Sequence, residues 1–375
     1  MGPLEGVKVV ELAGLGPAPF ACMLLAELGA EVLRIDRPGG ALSMGPPELD
    51  LVARGRRSAA LDLKQPAAVD VVRRLVAQAD VLVEGFRPGV AERLGLGPTD
   101  CHAINPRLVY GRMTGWGQDG PLAQTAGHDI DYLAVSGALH LIGRAGGPPQ
   151  VPANLLGDFA SGSLYLVIGV LAALNEAQRS RRGQVVDAAI VDGAAHLTTM
   201  LLGALAAGTW RQERGTNLLD TGAPFYDVYE TADGKHVAVG ALEPQFYEEL
   251  VEKLGVDAPD RNDLANWPAL RKLFAETFRQ RTQAQWAAAF DGSDACVAPV
   301  LPLANDHPHL MARGTFVEHH GVRQAAPAPR FDRTSTSLGR PPARPGEHTR
   351  EALTDWGITD IDSLLASGAA VQAKD

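Results

Sequence analysis

The amino-acid sequence predicts an α/β protein, with a large domain built on an open, parallel sheet and a second, small α+β domain. Two observations predict this fold class. Through the first part of the chain, β-branched apolar runs alternate with segments of helical spacing, which is typical of a parallel sheet with helices on both faces. Further along, two β-rich runs flank an Asp-Gly pair and helical segments follow, which is typical of an α+β unit.

The large domain opens with a strand–turn–helix–strand unit over residues 7–36. VKVVEL and EVLRID are the predicted strands, AGLGPAP is the turn, and FACMLLAELGA is the helix. Pro66 opens a predicted helix over 66–79, because proline suits the first helical position, and strands follow at 81–86 and 107–113. We expect these strands to pair in parallel through right-handed crossovers.

A long apolar helix is predicted from Asp158 to about Ser180, with Gly183 as its C-terminal cap, and a further helix over 192–207. In the small domain, the pair Asp233-Gly234 predicts a hairpin. Further helices are predicted over 244–254, 267–279 and 283–290, with a short one at HTREALTDWG.

Changes in composition set the expected domain boundaries. A polar segment rich in turn formers, 209–224, is the predicted linker between the domains. The division is a large domain over 1–208, completed by 330–375, a small domain over 225–315, and a Pro-rich return linker over 316–345.

Composition limits the functions open to this chain. Of its 375 residues 46% are hydrophobic and 21% are charged, as in ordinary globular proteins. The net charge is −10 without a strongly basic tract, which argues against nucleic acid as a partner. Cys22, Cys101 and Cys296 have neither zinc nor disulfide spacing, so we expect no metal and a reducing, cytoplasmic location. We also expect no signal peptide and no stretch long enough to span a membrane.

The first Gly-rich turn raises the question of a dinucleotide ligand. Pro19 stands where the third glycine of the dinucleotide fingerprint would allow close packing of helix and strand. Pro17 also removes a backbone donor from the loop that would bind pyrophosphate. We therefore expect no nicotinamide dinucleotide here.

Basic residues near successive strand ends predict a phosphate site instead. Arg37 follows the second strand, and Arg87 follows the strand at 81–86. The intervening segment 53–65 carries Arg54, Arg56, Arg57 and Lys64. Because open sheets bind ligands at the carboxyl ends of their strands, these cations suit a polyphosphorylated nucleotide. A solvated basic face is the alternative interpretation.

Two Gly-punctuated segments supply groups for proton transfer. GHDIDY at 127–132 places His128 directly after a glycine, and NLLGDFASGS at 154–163 places Asp158 at the predicted start of the long helix. An imidazole and a carboxylate on opposite sides of one carbon can remove a proton and return it on the other face. At a helix start, the Asp158 N–H would also be an unpaired donor for a developing oxyanion.

Each candidate residue also has a purely structural interpretation. Asp158 is a favoured type at a helix N-cap, and His128 could be a loop histidine. Glu243 stands at a predicted helix start, where helix-end electrostatics favour an acid. Asp129 is expected to fix the loop or orient the histidine, and Asn154 to form a turn.

Motifs along nearly the whole chain resemble the α-methylacyl-CoA racemase family of the class III CoA-transferase superfamily. In order, they are VVELAGLGPAPFACMLLAELGAEVLRIDRPGG, LDLKQP, GFRPGVAERLGLG, MTGWGQDGP, AGHDIDY, NLLGDF, GQVVDAAIVDG, GAPFYDVYETADG, VAVGALEPQFY and DACVAPVL. The resemblance implies a Rossmann-like large domain and two interlocked subunits in a homodimer. It implies an isomerase of lipid metabolism that interconverts (2R)- and (2S)-2-methylacyl-CoA through an enolate, with CoA as part of the substrate and no further cofactor.

The resemblance also implies roles for single residues. His128 and Asp158 are similar to the two catalytic bases, and Glu243 to the carboxylate that bonds the histidine from the partner subunit. CoA and substrate contacts are implied at Arg37, Leu61, Asp62, Leu63, Lys64, Gly127, Asp129 and Tyr132, with Arg87 nearby at a strand end. Asp131 and Ser161 depart from the Asn and Gly that are usual in the family, and Asp131 would favour the charged form of His128.

Three other functions stay open at this point. In the transferase branch of the superfamily, the counterpart of Asp158 is a nucleophile that forms a mixed anhydride. Those transferases carry a Gly-rich loop where this chain has Glu243. The other two functions are a CoA-ester-binding protein without catalysis and a nicotinamide dehydrogenase. Solvent deuterium entering C2 without an acceptor acid would distinguish the racemase from the transferase.

Overall fold

The computed structural model describes residues 2–40 and 45–374. The strands are β1 (Lys8–Leu12), β2 (Glu31–Asp36), β3 (Arg57–Leu61), β4 (Val81–Glu84), β5 (Val109–Thr114), β6 (Val185–Ala189), β7 (Tyr226–Glu230), β8 (His236–Gly240), β9 (Val297–Pro299), β10 (Phe316–His319), β11 (Val322–Ala325) and β12 (Ala370–Val371). The helices are α1 (Pro17–Glu27), α2 (Pro66–Val76), α3 (Val90–Arg93), α4 (Pro98–Ile104), α5 (Asp129–Ser136), α6 (Leu164–Ser180), α7 (Ile190–Leu197), α8 (Thr199–Ala206), α9 (Pro244–Leu254), α10 (Trp267–Phe278), α11 (Gln283–Phe290), α12 (Pro308–Arg313), α13 (Thr349–Asp355) and α14 (Ile361–Ala366). A π-helical segment, Leu155–Ser163, runs directly into α6.

The main sheet confirms the predicted open, parallel α/β architecture. In the described ranges its seven strands have the order β12-β3-β2-β1-β4-β5-β6. Neighbours from β3 to β6 pair in parallel, and β12 runs antiparallel to β3. Strand order reverses at β1, which lies between β2 and β4. A reversal of this kind leaves a crevice at the carboxyl ends of the strands, where open α/β sheets bind ligands.

Helices cover both faces of this sheet. Val9 of β1 belongs to the core cluster that contains Leu25 of α1 and Val170 of α6, whereas Val10 belongs to the cluster that contains Val71 of α2. Successive side chains of a strand point to opposite faces, and here both faces are buried. This burial explains why the central strands read as continuous apolar runs in the sequence.

The C-terminal segment completes one edge of the sheet. The strand β12 pairs with β3, and Trp356, which follows α13, is 1% exposed. The indole Nε1 of Trp356 donates to Glu31 at 2.8 Å. The sequence pattern does not predict β3, β6 or β12. The first two read RSAAL and VVDAA, and alanine is depleted in strands, while β12 has only two residues.

The chain divides into two compact units. The first comprises Met1–Ser136, Ala153–Leu197 and Asp306–Asp375, and the second comprises Gly137–Pro152 and Thr198–Asn305. The boundaries differ from the expected ones, because the segment 137–152 and α8 belong to the second unit and the chain returns to the first at Asp306 instead of 330. The single helix expected over 192–207 is therefore two helices, and the expected return linker contains the hairpin of β10 and β11.

The long helix differs from prediction at both ends. It begins at Leu155 as a π-helix, so Asp158 is not its first residue. At the other end Arg181 adopts the left-handed conformation, with φ of 61°, and Arg181 is the cap instead of Gly183. Gly183 permits a close backbone approach, since a Cβ there would lie 1.8 Å from the Leu108 carbonyl oxygen.

By length and composition alone, the segment Leu155–Ser180 could cross a membrane. It has 26 residues and a mean hydropathy of 1.7, which corrects the expectation that no stretch approaches such a length. Its buried face, which includes Leu166 and Val170, packs against β5 and β6 within the first unit. The core helix of a soluble protein passes the same test of length and composition.

The second unit is built on an antiparallel sheet with the order β7-β8-β9 in the described ranges. Its helices α9, α10 and α11 lie where helices were predicted, and β7 and β8 form the predicted hairpin with Gly234 at φ of 70°. The core is aromatic and includes Phe274, Phe278 and Trp286. Arg144 forms an ion pair with the buried Asp227, which holds the segment 137–152 in this unit.

Candidate active site

A cavity of about 560 Å³ opens at the carboxyl ends of β1, β4 and β5 in the first unit. Its wall brings together the predicted site residues Arg87, Gly127, His128, Asp129, Tyr132 and Asp158. Another cavity, of about 640 Å³, lies near the amino-terminal ends of the strands, and in the described ranges no predicted site residue lines it. The smaller cavity is the candidate active site because it combines the strand-order reversal with titratable groups.

His128 precedes the first residue of α5. Its backbone N–H donates to Asp131 Oδ2 at 2.9 Å, so Asp131 caps the start of the helix from its third position. This contact gives a structural role to the acid that stands where the resembling family commonly has Asn. The side chain of His128 lies on the cavity wall and is exposed.

Asp158 lies in the π-helical segment that precedes α6. Two serine hydroxyls contact carbonyls five residues back: Ser161 donates to Leu156 at 2.6 Å, and Ser163, whose shorter bond is to the Pro17 carbonyl at 2.7 Å, lies 3.0 Å from the Asp158 carbonyl. These bonds follow the wider repeat of a π-helix, a structure often found at functional sites. Ser161, the second departure from the family pattern, therefore contributes to the local geometry around Asp158.

The expectation of a free Asp158 N–H is wrong. This N–H donates to Asp129 Oδ1 at 2.6 Å. A donor in the first turn of a helix lacks a partner within the helix, and here a carboxylate from α5 supplies it. The Asp158 amide is therefore occupied and cannot bind an enolate oxygen in this arrangement.

The electrostatic surroundings of Asp158 favour its protonated form. Burial is the main cause that raises the pKa of Asp158, and the Asp129 carboxylate raises it further, while Asn154 and the charge of His128 lower it. Burial also raises the pKa of Asp129, against the effect of the Asp158 and Gly157 N–H groups. A carboxyl group moved toward neutrality can both hold and accept a proton, as reversible proton transfer requires.

Two contacts of Asp158 were not predicted. Asn154 Nδ2 lies 3.5 Å from Asp158 Oδ2, so Asn154 is more than a turn former. Gly16, in the turn after β1, has φ of 69°, and a Cβ there would lie 3.2 Å from Asp158 Oδ2. Next to this contact, Phe20 stacks on Phe159 with 4.4 Å between ring centroids. The turn considered for a dinucleotide thus packs against the candidate acid.

Tyr132 fixes the loop that carries His128. Its side chain is buried, and its hydroxyl donates to the Gly127 carbonyl. A Cβ at Gly115 would lie 1.9 Å from the Tyr132 ring, and one at Gly127 would lie 2.8 Å from it. Trp116 packs edge-on against the ring at 4.8 Å between centroids. Both glycines are therefore required by close packing around this tyrosine.

The predicted CoA contacts outside the α5 loop lie at neighbouring strand ends. Arg37 follows β2, Lys64 follows β3, and both are exposed, while Arg87 follows β4 on the cavity wall. The side chain of Leu61 is buried in the core and offers no surface to a ligand. Asp62 and Leu63 are half-buried, and Asp62 Oδ1 accepts the Lys64 N–H at 3.2 Å.

The arginines before and at the start of β3 do not belong to a ligand site. Arg54, Arg56 and Arg57 form ion pairs with Glu27, Glu11 and Glu31, respectively. Arg56 is only 1% exposed. Both earlier interpretations, a phosphate wall and a solvated basic face, are therefore wrong for these three residues.

Glu243 lies in the second unit, where it precedes Pro244, the first residue of α9. Its exposed side chain makes no capping hydrogen bond to the helix. The carboxylate lies near Cys296, whose thiol pKa is raised by burial and then by the charge of Glu243. The Glu243 carboxylate is thus available to another partner.

Comparison with known proteins establishes the family of this chain. Residues 4–349 match CoA-transferase family III. The chain belongs to this family. Mouse α-methylacyl-CoA racemase is 47% identical over 369 residues, covering 96% of this chain and 95% of the relative. The human racemase is 46% identical over 365 residues, covering 95% and 94%. A CAIB/BAIF family protein from Brucella suis has a TM-score of 0.82 at 28% identity, covering 95% of this chain and 99% of that one. The resemblance inferred from the motifs is confirmed.

Proposed function

We propose that this CoA-transferase family III chain is a racemase that interconverts (2R)- and (2S)-2-methylacyl-CoA thioesters. One observation carries the proposal: His128 and Asp158, each able to hold or release a proton, lie on the wall of one cavity. The mouse and human relatives, which align over nearly the whole chain, are named for the same reaction.

The reaction needs one proton to move at each face of C2. One base takes the C2 hydrogen as a proton, and the electron pair of the C–H bond forms an enolate with its charge mainly on the thioester oxygen. The acid on the opposite face then gives its proton to C2, which inverts the carbon. One proton has moved from Asp158 to His128 or back. The group that gained it releases a proton to solvent and the group that lost it takes one up, which restores the starting state for the next turnover. General acid–base catalysis of this kind contributes about 10² to 10⁴ in rate.

The enolate oxygen needs a donor other than the Asp158 N–H. The N–H groups of Asp129 and Ile130 are the first two of α5 and have no hydrogen-bond partner in the described ranges. They stand at the positive end of the helix, next to His128. We assign the Asp129 N–H to the enolate oxygen, and a donor of this type contributes about 10² to 10³ in rate.

Deuterium exchange tests the proposed function. A single enantiomer of a 2-methylacyl-CoA is incubated with the protein in D₂O, without any acceptor acid. The proposal predicts deuterium at C2 together with loss of optical purity. CoA exchange that requires an acceptor acid, without label at C2, would instead establish a transferase with Asp158 as nucleophile. Binding of the ester without either reaction would establish a non-catalytic protein.

We also propose that two copies form a homodimer in which Glu243 serves the His128 of the partner subunit. In the first unit, large apolar side chains on the outer surfaces of α5, α6 and α7 are exposed: Ile130, Val135, Leu164, Ile168 and Leu197. Exposed apolar surface of this extent is typical of an interface. The capping-free Glu243 side chain supports a partner outside its own helix.

Hybrid dimers test this assembly. His128→Ala and Glu243→Ala chains are co-expressed, and each variant alone is expected to be inactive or nearly so. If the two residues act across subunits, a hybrid dimer keeps one intact site, and random pairing restores about a quarter of wild-type activity. No recovery, or a monomer by light scattering, would contradict the assignment.

The remaining expectations concern cofactors and location. We propose that CoA enters only as part of the substrate, that no separate cofactor or metal is needed, and that the protein acts in the cytoplasm without a membrane. Turnover that is unchanged after dialysis against EDTA supports the proposal that no metal is needed. Fractionation of cells that express the protein tests the cytoplasmic location.

A further inference from the structure

The Asp129 carboxylate is buried, and only one of its two oxygens has a hydrogen-bond partner in the described ranges. The residue is 8% exposed, and its Oδ1 accepts the Asp158 N–H at 2.6 Å. Its Oδ2 is buried without a hydrogen-bond partner in the described ranges. A buried carboxylate oxygen without a partner costs stability, so a purely structural cap would not be built this way.

The contact joins the two candidate bases. Asp129 directly follows His128, so its side chain leaves the same turn that carries the imidazole. Its Oδ1 accepts the backbone N–H of Asp158 itself, and the N–H of the adjacent Gly157 also favours the charged form of this carboxylate. The Asp129 side chain therefore connects the turn that carries one candidate base, His128, to the backbone of the other, Asp158.

Gly157 shows how tightly this link is packed. A Cβ at Gly157 would lie 2.2 Å from Asp129 Oδ1 and 2.6 Å from its Cγ. Contacts under 3.0 Å are essentially never seen for real Cβ atoms. Any side chain at this position would displace the Asp129 carboxylate or move the turn that carries Asp158. The absence of a side chain at Gly157 thus makes the link possible.

We propose that Asp129 is a positioning residue whose carboxylate fixes the Asp158 turn against the His128 turn and so sets the separation of the two bases. This inference rests on the proposed racemase function. Misplacing a catalytic group by about 1 Å can cost 10²-fold in rate. The reaction is sensitive to the separation because both bases must reach C2 of one substrate from opposite sides.

The same carboxylate also acts through its charge. The groups that affect the titration of Asp158 are Asp129, Asn154 and His128, and the hydroxyl of Tyr132 lies close enough to respond to the charge of Asp158. Because the Asp129 charge raises the pKa of Asp158, its removal lowers that pKa. The acidic limb of the pH profile should then move to lower pH.

Three variants test the proposal, with C2 deuterium exchange as the readout. Asp129→Asn keeps an acceptor oxygen and removes the charge, so we expect kcat within about tenfold of wild type and an acidic limb at lower pH. Asp129→Ala removes the link, and we expect kcat to fall about 10²-fold with KM for acyl-CoA within about threefold. Gly157→Ala displaces the link without changing Asp129, and we expect the same selective fall in kcat. Asp192→Asn, an exposed acid in the same unit, is the control and should behave as wild type.

Two outcomes would overturn the inference while leaving the racemase intact. In the first, wild type exchanges deuterium and Asp129→Ala and Gly157→Ala do so at the wild-type rate. In the second, Asp129→Asn is as impaired as Asp129→Ala and its pH profile does not move, which would show that acceptor geometry is irrelevant. If Asp129→Ala is unstable in thermal unfolding, the rates of Gly157→Ala and Asp129→Asn test the positioning role in its place. Absence of exchange in wild type would instead remove the proposed function itself.

Discussion

Two groups of buried or half-buried charges in the first unit have opposite surroundings. On the sheet, Glu11 is fully buried and pairs with Arg56, while Arg34 pairs with Asp36. At the cavity, Asp158 lies beside Asp129, and in the described ranges no arginine or lysine compensates either charge. Burial raises the carboxyl pKa in both places, but only on the sheet do guanidinium groups oppose it.

This difference distinguishes charges that stabilise the fold from charges that serve the proposed reaction. A buried acid with a cationic partner is held in its charged form, and losing the partner leaves an expensive charge behind. A buried acid beside another acid is held near the point where it exchanges a proton, and such groups cluster at functional sites. The compensated charges thus belong to the fold, and the uncompensated pair belongs to the proposed reaction.

Removing either base should have the largest effect. For His128→Ala and Asp158→Ala we expect inversion of C2 to fall by at least about 10³-fold, because each variant lacks one partner of the proton transfer. Chiral chromatography of the recovered acyl groups measures inversion. Circular dichroism should show that both variants remain folded, and inversion at a wild-type rate in either variant would remove that residue from the mechanism.

Breaking a compensated pair should damage stability instead. Glu11→Gln leaves Arg56 buried without its charged partner, and we expect a loss of about 3 to 5 kcal/mol in the free energy of unfolding. Urea denaturation measures it. The double variant Glu11→Met/Arg56→Leu should be less destabilised than either single variant, since no buried charge is left over. A destabilisation no larger than that of the exposed control Arg350→Ala would contradict the comparison.

Neutralising Asp158, the uncompensated acid, should raise the stability of the fold instead of lowering it. The pKa of Asp158 is raised in the folded state, so its ionised form costs stability above that pKa, and the cost disappears as pH falls and the group is protonated. Asp158→Asn should therefore raise Tm by about 1 to 2 °C at pH 7. The gain should shrink as pH falls and disappear below the ordinary aspartate pKa of about 3.9, where the carboxyl is protonated in both the folded and the unfolded state. A lower Tm at pH 7 would show that the cavity stabilises the carboxylate.

The cation on the cavity wall should show the smallest effect. Arg87→Ala should raise KM for acyl-CoA about tenfold with little change in kcat, because a cation that binds phosphate acts on binding and not on the proton transfer. Arg107→Ala, at the cavity near the opposite strand ends, is the control. A fall in kcat without a change in KM would place Arg87 in the chemistry.

Periodicity predicted the parts of the fold that carry strong local signals. The strands β1, β2, β4 and β5 and the helices α2, α9, α10 and α11 lie where apolar spacing, Pro66 and Pro244 placed them. The sequence does not reveal β12, because two residues have no periodicity. It also does not reveal that 137–152 joins the second unit, since the ion pair of Arg144 with Asp227 connects distant segments.

The candidate site was predictable in its residue types but not in its contacts. Motifs identified His128 and Asp158, and both line the cavity. The occupied Asp158 N–H was missed, because its acceptor, Asp129, comes from 29 residues earlier and only the folded chain brings it near. The prediction of a phosphate site at the arginines near β3 was wrong for the same reason, since their acidic partners lie elsewhere in the chain.

The most direct test of the two-base claim asks which enantiomer each single-base variant can still exchange. Each enantiomer presents its C2 hydrogen to a different base, so His128→Ala and Asp158→Ala should each exchange deuterium into one enantiomer, without inversion, and the two variants should select opposite enantiomers. Exchange of the same enantiomer by both variants, or inversion surviving in either, would contradict the account.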